Sequence, residues 1–222
     1  MGVVTEFGVN KQMKEKISIA VDILIIILVV IGTILMFMGA ADETGLTASG
    51  FYNLKYFTVL SNEFCGIVTI IDLIKRLLGK SKVSLLVKYM AVTSVGLTFS
   101  IIAFFLQPMY REMNMYKGGN LVFHLIVPVI AMLGFVLLDK QAADEVLPFR
   151  YTVIAAIPSV IYGFGYMINI LINGKGEWPN TNDWYGFLNW GWSMGVVIFA
   201  GVVLINWIVA LVIRVLFNKI KH

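Results

Sequence analysis

Six long apolar blocks, at about residues 17–38, 54–78, 84–107, 119–138, 149–172 and 190–217, decide what this chain can fold into. About 20 residues at 1.5 Å each are needed for a helix to cross the ~30 Å hydrocarbon layer of a bilayer, and every block meets that length. None shows the period-two alternation of a barrel strand. In lipid a segment must satisfy its own backbone hydrogen bonds, so unbroken apolar blocks read as spanning helices. The composition agrees: 59% of the 222 residues are hydrophobic and only 14% are charged, against roughly 25% charged in soluble domains. The predicted fold is all-α, a single polytopic domain over residues 1–222 built as a bundle of six transmembrane helices.

The net charge of +4 comes from basic residues scattered among the connections, with no tract that would mark nucleic-acid binding. Their distribution is a topology signal. With six spans, thirteen of the seventeen Lys and Arg fall beside the termini and in the 2–3 and 4–5 connections, while Lys55, Arg111, Lys117 and Lys175 lie on the opposite side. The positive-inside rule then places both termini in the cytoplasm of a multi-pass cell-membrane protein. The first block could be taken for a signal peptide cut near Gly39-Ala40-Ala41, but it is longer than the 7–15 residues of a signal core. Asp72 and Arg76, four apart at the end of the second block, are expected to pair. The lone Cys65 allows no disulfide within the chain, and no metal-ligand spacing is present, so no metal or cofactor is expected.

Polar side chains inside such blocks are costly and serve as site hypotheses. Two stretches carry them: Asn53-Leu54-Lys55-Tyr56-Phe57-Thr58 through Asn62-Glu63, and Asn120 through His124 to Pro128. Thr58 is five residues into the second block, counted from Asn53, and His124 is five into the fourth. Both are thus expected about 7–8 Å below the outer boundary. A hydroxyl and an imidazole at one depth are what nucleophilic catalysis requires. Asn62, one turn below Thr58, is the candidate oxyanion donor, and Asn120, one turn above His124, the candidate to orient the ring. Pro128 cannot donate to the carbonyl of His124 and is expected to open the helix there. Lys55, Trp178 and Tyr166 are the candidates to contact substrate.

Each residue also has a plainer reading. Thr58 alone fits a hydroxyl bonded back to its own helix, and His124, Asn62 and Asn120 fit interhelical fasteners. Trp178, Trp184, Trp190 and Trp192 fit an interfacial belt. Glu63, on roughly the opposite face of its helix from Thr58, is expected to be protonated or paired inside the bundle.

Lys55-Tyr56-Phe57-Thr58 followed by an apolar helix, Asn120-x-x-x-His124 with a nearby proline, the run ending in Leu138-Asp139, and Trp178-Pro179 resemble the androgen-induced gene family of six-helix membrane proteins. The resemblance implies a threonine hydrolase of fatty acid esters of hydroxy fatty acids, with the nucleophile at Thr58 and the histidine at His124. A more distant six-helix acyltransferase of ether phospholipids suggests acyl transfer as a variant. The chain departs from the animal pattern at Ser61-Asn62 and in the His124–Pro128 spacing. The expected partner is therefore a membrane lipid or fatty acyl ester. Two other classes stay open: a small-solute or proton-coupled transporter relaying through Glu63 and His124, and a lipid-binding protein without turnover. No internal inverted repeat of the transporter kind is evident.

Overall fold

The computed structural model describes residues 2–39, 50–139, 145–177 and 181–220, with side chains described from residue 12. Asp42, Glu43, Lys140, Trp178, Pro179 and Lys221 lie outside the described residues. All regular structure among the described residues is helical, and six helices are long and apolar enough to cross a membrane. They are α1 (Gly2–Met38), α2 (Phe57–Leu77), α3 (Leu85–Met109), α4 (Gly119–Leu138), α5 (Arg150–Asn173) and α6 (Gly191–Lys219). Six crossings put both termini and the 2–3 and 4–5 connections at one end of the bundle, the terminal end. The other three connections form the far end.

Two boundaries differ from the sequence reading in ways that matter. The second block begins with apolar Phe51, Tyr52 and Leu54, but Gly50–Lys55 is a 3₁₀ helix, and α2 starts only at Phe57. Its first amide is capped from the far-end loop, the N–H of Phe57 donating to the Tyr185 hydroxyl at 2.8 Å. At the other terminus α1 starts well before residue 17, at Gly2.

Helix α3 runs through the middle. Within its most apolar window 56% of residues are buried, against 22% for α1 and for α6, which leave most of their apolar surface uncovered. It packs against α2, α4, α5 and α6. The core around it holds Tyr89, Phe135 and Phe217, with Phe135 stacked between the other two rings. Close approach of α1 and α4 depends on Gly32, where an added Cβ would stand 2.3 Å from the ring of Phe123.

Three prolines shape the helices, each by withholding an N–H. Pro158 splits α5 at Ala156 into Arg150–Ala155 and Ile157–Asn173. Pro108 and Pro128 each follow a five-residue π-helical turn, Ile102–Leu106 in α3 and Val122–Ile126 in α4. In α4 the N–H of Val127 donates to Val122, five residues back. The next donor in that register, for the carbonyl of Phe123, would be Pro128. The expected opening beside His124 is therefore present, and the π turn brings the carbonyl of Phe123 into it.

The terminal end is fastened by a buried ionic cluster, which includes the expected pair of Asp72 and Arg76. Arg76 Nε lies 3.1 Å from Asp72, and its other nitrogens reach Asp22 and Glu15 on α1. Lys88 on α3 sits 2.6 Å from both Asp72 and Asp139. Asp72 also accepts the N–H of Val83 at 2.7 Å. Four helices are thus clamped through charges that are 1–17% exposed, apart from the 45% exposed Glu15. A paired arrangement is the one in which such burial is tolerable.

Candidate functional site

Thr58 is the second residue of α2, so it lies about one turn nearer the far end than its sequence position suggested. His124 remains five residues into α4. The α2 residue at that depth is Asn62, and the two elements do meet there: the Asn62 side-chain amide donates to the carbonyl of Phe123 at 3.1 Å. Its Nδ2 also donates to the carbonyl of Thr58 at 2.8 Å. Both N–H groups of the amide are therefore in use, and no donor is left over for an oxyanion. Asn62 fastens α2 to the carbonyl that Pro128 orphans.

His124 is buried, 7% exposed, within the π turn. Its Nδ1 lies 2.7 Å from the carbonyl of Met115 in the 3–4 connection. A carbonyl only accepts, so Nδ1 carries the proton, and the neutral ring keeps a lone pair on Nε2 for proton abstraction. Met115 thus takes the orienting role expected of Asn120, whose side chain makes no hydrogen bond among the described residues. Met115 is itself held by Gln107, whose Oε1 accepts its N–H at 2.9 Å. Sequence reasoning had no signal for a loop carbonyl in this role.

The hydroxyl of Thr58 makes no hydrogen bond among the described residues, and in particular none to His124. It lines instead an apolar cavity of about 160 Å³ among α2, α3, α5 and α6, in the far half of the bundle. Leu97, Ile101, Phe199 and Val202 supply the walls, and Thr58, Thr98, Ser159 and Tyr162 supply hydroxyls. Thr98 is satisfied by Ser61 at 3.0 Å, and Ser159 by the carbonyl of Ala156 at 2.8 Å. Thr58 is the one of the four without such a partner. The Phe199 ring can lie on this wall because Gly163 has no side chain: a Cβ there would fall 1.9 Å from the ring.

An aromatic cluster from the 5–6 connection covers the far end of this cavity. Tyr166, expected to contact substrate, lines it, as do Tyr185 and Phe187. Tyr166 is fixed by a hydrogen bond to Asp183, which also accepts the N–H of Leu188 at 3.0 Å. Tyr162 donates to the carbonyl of Lys55 at 2.5 Å and accepts the indole N–H of Trp184 at 3.2 Å. Burial raises the Tyr185 phenol well above its ordinary value, so it stays neutral and can cap α2. The Lys55 ammonium rests 5.2 Å from the centre of the Tyr56 ring and 5.5 Å from that of Trp184. Partial burial lowers its pKa. Trp178, the remaining candidate for substrate contact, lies outside the described residues.

No group of three or more His, Cys, Asp or Glu side chains among the described residues is arranged to hold a metal ion. No protein-family model matches the chain, and neither a curated protein nor a solved structure shows significant similarity to it.

Proposed function

We propose that this is a multi-pass protein of the cell membrane, with both termini cytoplasmic, that acts on acyl chains of the outer leaflet. In this reading it is a lipid-ester hydrolase or acyltransferase. The observation that carries it is the unbonded hydroxyl of Thr58 on the wall of an apolar cavity capped by aromatic rings. Ligand sites combine an apolar lining with few polar groups in the same way. An acyl chain would fill the space between Leu97, Ile101 and Phe199, leaving its ester at Thr58 beneath Lys55 and the Tyr–Trp cap. Thr58 Oγ1 would attack the ester carbonyl while His124 Nε2, its ring held by Met115, takes the hydroxyl proton; the ester C–O bond then breaks and that proton passes to the departing alcohol. The acyl-threonine would then pass to water or to an acceptor lipid. The basic side of the chain supports the orientation, and the resemblance of the Lys55–Thr58 and Asn120–His124 motifs to a family of membrane threonine hydrolases supports the chemistry.

This reading requires Thr58 and His124 to close on one another once a chain is bound, since they share no hydrogen bond in the empty protein. Catalytic hydrogen bonds often tighten only in the substrate complex. A second reading, lipid binding without turnover, is favoured by the engaged amide of Asn62 and by that same missing bond. Intact-mass analysis after exposure to an activated medium-chain acyl ester separates the two. A single acyl adduct on Thr58 supports the enzyme. Non-covalent lipid retained in the wild type but lost when Val202→Phe narrows the cavity, with no adduct in either protein, supports the binder.

A further inference from the structure

Glu63 does not enter the bundle interior. It lies six residues beyond Phe57, about 9 Å below the far end of α2. There it lines a cavity of about 210 Å³ between α1 and α2 with Thr33, Val30, Ile34, Ile67 and Ile70. Those four aliphatic side chains are 38–54% exposed, so the cavity opens on the surface that faces lipid. Glu63 is the sole ionisable side chain lining it among the described residues.

The hydrogen bonds of the pair compete for one proton. The Thr33 hydroxyl lies 2.7 Å from the carbonyl of Val29 and is also hydrogen-bonded to Glu63. A hydroxyl has one proton, and a carbonyl can only accept. The Val29 carbonyl and Glu63 compete for that proton, and both contacts are made at once only when the carboxyl is protonated and donates to Thr33. An ionised carboxylate would draw the Thr33 proton away from Val29, with no cation among the lining side chains and lipid around it.

We propose that Glu63 and Thr33 form a proton-binding site within the bilayer, reached from the lipid-facing side between α1 and α2. This site is separate from the Thr58 cavity. Among the described residues no hydrogen-bond chain joins Glu63 to His124. The site belongs to the class of intramembrane acids that take up and release protons.

A membrane-soluble carbodiimide, dicyclohexylcarbodiimide, tests this on the full-length protein. The carboxyl proton passes to a carbodiimide nitrogen while the carboxyl oxygen bonds the central carbon, giving an O-acylisourea with nothing released. Where water is excluded, the acyl group migrates to nitrogen as a stable N-acylurea. The expected result is one adduct, mapped to Glu63. A water-soluble carbodiimide should leave Glu63 unlabelled. Glu63→Gln, which keeps a donor for Thr33, should abolish the adduct without lowering the melting temperature. Folded wild type that stays unlabelled at Glu63, or labelling there by the water-soluble reagent at a similar rate, would overturn the proposal.

Discussion

The side-chain amide of Asn62 donates to the carbonyl of Phe123 at 3.1 Å, replacing the N–H that Pro128 lacks. One residue thereby sets the register of α2 against the π turn that carries His124. Replacing Asn62 with Leu removes this bond and the bond to the Thr58 carbonyl, and leaves the Phe123 carbonyl unpaired in the core. Interhelical hydrogen bonds in membranes contribute about 0.6–2 kcal/mol, and an unsatisfied buried group costs about 1–3 kcal/mol. Asn62→Leu should therefore lower stability by about 1–4 kcal/mol, read as the midpoint of unfolding in detergent and denaturant. Asn62→Gln should not restore it, because the longer stem displaces the amide.

The ionic cluster at the terminal end makes a sharper demand. Arg76 is 5% exposed and faces Asp72, Asp22 and Glu15. Arg76→Met should cost about 3–5 kcal/mol, because Asp22 is left without its cation and Asp72 keeps only Lys88. The double variant Arg76→Met, Asp22→Asn should recover part of that loss. A measured loss below about 1 kcal/mol for the single variant would mean the cluster is wet and screened.

Asp139, just past the end of α4, gives the cluster a pH dependence. Burial raises its carboxyl above the ordinary value against the lowering pull of Lys88. A carboxyl whose folded value exceeds its unfolded value binds a proton more tightly in the folded state. Its contribution is full below the unfolded value and is lost as pH rises through the folded one. The unfolding midpoint should therefore decline as pH rises through the folded value, and this decline should be absent in Asp139→Asn.

Much of the scaffold was legible because bilayer thickness imposes a length on every span. The six blocks correspond to α1–α6, and Asp72 and Arg76 pair as their spacing suggested. The site was harder to read at two points. Phe51, Tyr52 and Leu54 are as apolar as a helix, so the 3₁₀ segment Gly50–Lys55 was indistinguishable from the first turn of α2, and Thr58 came out one turn too deep. Pro128 announced an opening, but choosing between an i−4 and an i−5 register depends on packing, and the π turn brings the Phe123 carbonyl into that opening. The Met115 carbonyl on His124 and the Thr33 hydroxyl on Glu63 are long-range or backbone contacts that no local pattern encodes.

Labelling of the purified protein by a long-chain fluorophosphonate, which reacts with base-activated hydroxyls, tests most directly whether Thr58 is a nucleophile served by His124. Wild type should be labelled at Thr58, Thr58→Ala should not react, and His124→Ala should react at least about 100-fold more slowly while remaining folded. Folded wild type that resists a probe able to label a serine hydrolase control, or that labels equally well without His124, would contradict the account.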